Sequence, residues 1–130
     1  MKQSIFQEKY PIFSLELDKT ETSCESVDEI IAALKQKIED HPAAQFIAIF
    51  DHYSHTKALP DGIIGTDMVD AKNLVFCFGI KLPNPEVMAV RPRSIGVTQT
   101  ARGFVVNFME APMPQANTAM EAWALSLKNR

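Results

Sequence analysis

The chain is 130 residues long, enough for a single domain over residues 1–130 with a hydrophobic core that needs no metal or disulfide staple. Hydrophobic residues make up 46% and charged residues 22%, the composition of an ordinary globular domain. The formal net charge of −3 gives no electrostatic case for a nucleic-acid or anionic-membrane partner, and no apolar run reaches the roughly 18 residues of a membrane span.

The opening residues MKQSIFQEKYPIF carry no apolar stretch of the secretory kind, so the expected compartment is the cytoplasm. Cys24 and Cys77 are expected there as free thiols. No CxxC or paired-knuckle spacing occurs.

Phe13, Leu15 and Leu17 alternate with Ser14, Glu16 and Asp18, the pattern of a half-buried strand. Ser26 and Glu29 then form S-x-x-E, a capping box. Val27, Ile30, Ile31, Leu34 and Ile38 follow at helical spacing, which predicts a helix over 27–40. After Pro42, Phe46, Ala48 and Phe50 are expected on one face of a strand, and Ile47 and Ile49 on the other. Both faces are apolar, so this strand is expected in the middle of a sheet.

Residues 53–71 read as a long connection with one helical turn near Ser54–Leu59 and a turn at Pro60-Asp61-Gly62. A second strand, apolar on both faces, is expected over 73–80. Asn84 and Pro85 open a short helix that ends before Pro92. Residues 94–100 and 104–110 flank Ala101-Arg102-Gly103 as a β-hairpin. Met113, Ala116, Met120, Trp123 and Leu127 recur at helical spacing, predicting a terminal helix over 115–127 whose Met and Trp side chains are core. The order β-α-β-β-α-β-β-α implies an α+β fold: a single mixed or antiparallel sheet of about five strands with helices on one face. A domain with so few helices leaves apolar sheet surface uncovered, which favours a homodimer.

Several short motifs carry a resemblance. They are Phe50-Asp51-His52, Phe78-Gly79, Asn84-Pro85, Gly96-Val97 and a late hydrophobic strand over 104–109. Together they resemble the uncharacterised bacterial family called domain of unknown function 302, or a sister family of the same fold, over roughly residues 13–114. The resemblance implies a small α+β domain, often dimeric, with no agreed activity. In this chain Ile80-Lys81-Leu82-Pro83 lengthens the family's spacing from Gly to Asn-Pro.

The densest chemistry is Asp51-His52-Tyr53-Ser54-His55. On a helical turn His52 and His55 would face one metal, with Asp51 or Cys77 as a further ligand, a set suited to zinc or iron. The plainer reading is a helix cap and a turn with surface histidines. The same cluster supports a second chemistry, with His52 as general base oriented by Asp51 or Asp67 and Cys77 as nucleophile. A thiol in an apolar strand is a poor nucleophile, which weighs against it.

Arg91-Pro92-Arg93 holds two guanidiniums close together, a clamp for carboxylate or phosphate, or two solvated surface arginines. No phosphate loop or dinucleotide fingerprint occurs, so no cofactor follows from the sequence. The expected function is a non-enzymatic module binding a small molecule or metal near Asp51, His52, His55, Cys77, Arg91 and Arg93. The alternatives are a small enzyme using His52 for acid–base work, and an interaction domain with no small-molecule site.

Overall fold

The structure, a computed structural model, describes residues 1–129. Six strands form one sheet in the order β1-β2-β6-β5-β4-β3, with every neighbouring pair antiparallel. The strands are β1 (Lys2–Phe6), β2 (Tyr10–Asp18), β3 (Ala44–Phe50), β4 (Met68–Phe78), β5 (Arg93–Thr100) and β6 (Gly103–Met109). The helices are α1 (Val27–Glu39), α2 (His52–Ala58) and α3 (Pro114–Leu125), with 3-10 turns at Lys19–Glu21 and Pro85–Val90. The α+β class and the antiparallel hairpin of β5 and β6 match the sequence reading.

α1 follows directly from local sequence. Ser26 accepts from the Glu29 amide at 3.1 Å, and the Glu29 carboxylate accepts from the Glu25 amide at 2.6 Å rather than from that of Ser26. Val27, Ile30, Ile31, Leu34 and Ile38 are all buried, the same five that the helical spacing selects. They pack on Leu74, Phe76, Ile95, Val97, Val106 and their neighbours, with Met120 and Trp123 of α3 completing the core. Among the described residues no helix is long and apolar enough to cross a membrane.

Four expectations need correction. First, β1 was not anticipated. It pairs with β2 through a turn in which Gln7 and Glu8 both take positive φ, a conformation that normally advertises itself by Gly or Asn. Second, β3 is an edge strand, not a central one, since it pairs with β4 alone. Its apolar residues are largely exposed: Ile47 at 50%, Ile49 at 45% and Phe50 at 43%. Third, the β3 alternation breaks at a bulge between Phe46 and Ala48. Phe46 lies opposite buried Phe76 and Ile49 opposite buried Leu74, whereas Ala48 and Phe50 face the other way, opposite Val75 and Asn73. Fourth, the long connection is much shorter than expected, because α2 runs to Ala58 and β4 begins at Met68.

The sheet thus has a packed face and an open face. α1 and α3 cover the packed face. α2 and the loop 59–67 lie against part of the other, sharing a cavity with Ala71, Asn73, Thr98 and Asn107.

Candidate functional site

The register places Asn73 of β4, Gly96 of β5 and Asn107 of β6 side by side across the open face. Side chains on directly opposed residues share a face. Gly96 therefore leaves a gap between two amides whose backbones stand roughly 9–10 Å apart, two strand spacings. A methyl group at Gly96 would lie 2.8 Å from Asn107 Oδ1 and 3.8 Å from Asn73 Nδ2. The gap is thus edged by an acceptor on one side and a donor on the other.

His52, in the first turn of α2, joins this row: its Nδ1 is 3.0 Å from Asn73 Oδ1. Tyr53 and Thr56 of α2, together with Ile63, Ile64 and Met68, close the sides of a cavity of about 320 Å³ above Gly96. Ile63, on the loop at its rim, is 89% exposed. A second depression of about 270 Å³, bounded by Phe6 and Ile12, shares Asn73, Gly96 and Asn107 with the first.

The acidic residues of the expected cluster do other work. Asp51 caps α2, accepting from the Ser54 amide and the Ser54 hydroxyl, each at 3.0 Å. The Ser54 amide is the main reason that its carboxyl is held below the ordinary range. Lys72 is 3.9 Å from Asp51 and 2.5 Å from Asp28 of α1. The Asp28 contact leads in raising the Lys72 ammonium above its usual value. Asp67 lines a different cavity, beside Arg102.

His52 and His55 have ring centroids 6.3 Å apart, with the Phe50 ring 5.1 Å from one and 5.4 Å from the other. Cys77 is remote from both. It lies four residues along β4 from Asn73, about 13 Å of strand. Among the described residues, no three His, Cys, Asp or Glu side chains come together as a metal-ligand set. The third histidine, His41, packs on Phe78 and Trp123 at 4.9 and 5.8 Å, and its Nδ1 accepts from the Ala43 amide at 3.1 Å.

Arg91 and Arg93 are brought together, at a separate cavity. Arg91 Nη1 donates to the Lys81 carbonyl at 2.5 Å, and its Nη2 occupies space that a side chain at Gly79 would need. Arg93 is buried, donating to the Val90 carbonyl at 3.3 Å and to that of Met109. Burial lowers its guanidinium from the ordinary value, though an arginine remains charged.

Sequence reasoning missed Asn73, Gly96 and Asn107. Two signals were available: Asn is disfavoured inside an apolar strand, and a strand glycine marks a bulge or a close approach. No curated protein and no solved structure matches the chain. A family described as "Family of unknown function (DUF6858)" matches residues 1–129. The chain therefore belongs to that family of unknown function.

Proposed function

We propose that the chain is a non-enzymatic binding module that holds a small neutral molecule on the open face of its sheet. One observation carries this reading: the row Asn73–Gly96–Asn107, with an amide donor and an amide acceptor facing a gap and His52 held beside it. A cavity with a few convergent polar groups and apolar walls is the usual form of a small-molecule site. The donor–acceptor pair suits a primary amide, a lactam or a similar planar edge. Lys72, the one charged group lining the cavity, is engaged by Asp28, which favours a neutral ligand.

Binding is favoured over catalysis because Asp51 is turned to Ser54 and Cys77 is out of reach of His52, leaving the histidine no acidic orienter and no thiol nucleophile. It is favoured over a metal at His52 and His55 because, among the described residues, no third His, Cys, Asp or Glu side chain joins them as a ligand. Cys24 and Cys77 are both free thiols, as suits a cytoplasmic protein. The motifs around Asp51-His52 and Phe78-Gly79 support kinship with domain of unknown function 302 as a sister family.

The test is a thermal-shift screen of small amides and lactams against their N,N-dimethyl and ester analogues. The reading expects stabilisation by compounds that retain both donor and acceptor. No stabilisation by any of them, or equal stabilisation by the blocked analogues, would overturn it.

The same proposal takes the chain as a homodimer joined along β3. This edge strand carries exposed Ile47, Ile49 and Phe50. Antiparallel pairing of β3 with the β3 of a second copy is two-fold symmetric and continues the sheet. Light scattering is expected to give a dimer that Ile47→Lys dissociates. A monomer at high micromolar concentration would contradict it.

A further inference from the structure

The cavity at Arg91 and Arg93, about 330 Å³, plays no part in the function proposed above. Phe78, Val87, Val90 and Met113 give it apolar walls, and no acidic residue lines it. Arg93 is only 8% exposed, and both acceptors it reaches are neutral backbone carbonyls. Its Nε has no hydrogen-bond partner among the described residues. Among the described residues the only ion pairs are those of Lys72, so neither arginine has a counter-charge. A charge withdrawn from water without an opposite charge is costly, and an anion placed beside it recovers much of that cost.

A second feature points the same way. The first turn of α3, a twelve-residue helix, reaches the cavity through Pro114 and Ala116. That turn has no side-chain cap and no acidic residue, so the helix dipole adds partial positive charge at this end, although Pro114 has no N–H and the Ala116 amide donates to the Met113 carbonyl. Two guanidiniums and a helix N-terminus thus meet at one apolar-walled cavity.

We propose that this cavity binds a small apolar monocarboxylate, with the carboxylate against Arg91 and Arg93 and the apolar body along Phe78, Val87 and Met113. The apolar walls favour an organic acid over inorganic phosphate, whose remaining oxygens would find no donors there. Gly79 is part of the construction, because its missing side chain lets the Arg91 guanidinium lie across the strand end.

The experiment is an NMR titration of backbone amides with hexanoate, hexanamide and inorganic phosphate as probes. Hexanoate should give saturable shifts confined to residues 78–79, 87–93 and 111–116. Hexanamide, isosteric but neutral, should bind at least about tenfold more weakly. Arg91→Met should weaken hexanoate by a similar factor with no loss of the folded spectrum. The proposal is overturned if hexanamide binds as well as hexanoate, if the shifts lie elsewhere, if Arg91→Met changes nothing, or if phosphate saturates the site and hexanoate does not. Should Arg91→Met fail to fold, the comparison of hexanoate with hexanamide on the unaltered chain decides.

Discussion

His52 Nδ1 lies 3.0 Å from Asn73 Oδ1, tying the first turn of α2 to the middle of β4. An amide oxygen can only accept, so the ring donates through Nδ1. A neutral His52 then offers Nε2 as an acceptor, and Asn73 turns its Nδ2 toward Gly96. Replacing His52 by Ala removes one neutral hydrogen bond that orients the Asn73 amide. Amide binding, read by calorimetry, should weaken by up to about tenfold. The melting temperature should barely move, because His52 is exposed.

Gly96→Ala tests the gap itself. The new methyl would sit 2.8 Å from Asn107 Oδ1, so that amide has to swing away. Stability should change by less than about 1 kcal/mol, since the glycine needs no unusual backbone angle and its replacement also restrains the unfolded chain. Binding of an amide ligand should fall by more than about tenfold, because both the space and the acceptor are lost. Unchanged binding in a folded Gly96→Ala variant would separate the cavity from function.

Gly79 is constrained in a different way. Its φ is +120°, a region nearly closed to residues with a side chain, and an added Cβ would fall 2.9 Å from Arg91 Nη2. Gly79→Ala should cost about 1–3 kcal/mol in urea denaturation. A wild-type midpoint would mean that the strand end relaxes without penalty.

Ser26→Ala removes the hydroxyl that accepts from the Glu29 amide at the start of α1. The expected loss is about 1 kcal/mol, seen as a lower denaturation midpoint at unchanged slope. Ser26→Asp should restore most of it, because a carboxylate accepts the same bond and complements the helix dipole.

The pH dependence follows from two displaced groups. The Asp51 carboxyl is depressed, chiefly by the Ser54 amide. Its contribution is therefore fully present above the ordinary carboxylate pKa of about 3.9 and is lost as pH falls through its lower folded value. Lys72 is raised, chiefly by Asp28. Its contribution is present below the ordinary lysine pKa of about 10.4 and is lost as pH rises through its higher folded value. Denaturation midpoints should show no contribution from either group changing near neutrality. Asp51→Asn keeps the cap but abolishes the charge, so its difference from wild type should be flat at neutral pH and close only in strong acid.

α1 was legible almost residue by residue, because a cap, a periodic apolar stripe and a charged outer face are all local. The hairpin of β5 and β6 was legible for the same reason. β1 was not, because Gln7 and Glu8 occupy turn positions where a sequence ordinarily shows Gly or Asn. β3 misled because apolar residues on both faces normally mean burial, whereas here Ile47, Ile49 and Phe50 lie on an exposed edge. In the candidate site, His52 stood out by residue type. Its partners did not, since Asn73, Gly96 and Asn107 meet only through the register of three strands, a long-range property that local pattern cannot supply. Asp51, singled out as a chemical group, is a helix cap, and Cys77 is separated from His52 by the length of a strand segment.

The most direct test of the proposed function is NMR chemical-shift mapping of a small lactam, 2-pyrrolidinone, on the unaltered chain and on Asn107→Leu. The account predicts saturable shifts at His52, Asn73, Gly96 and Asn107 in the unaltered chain, and their loss in a folded Asn107→Leu variant. Shifts of equal size in both proteins, or none at these residues in either, would contradict it.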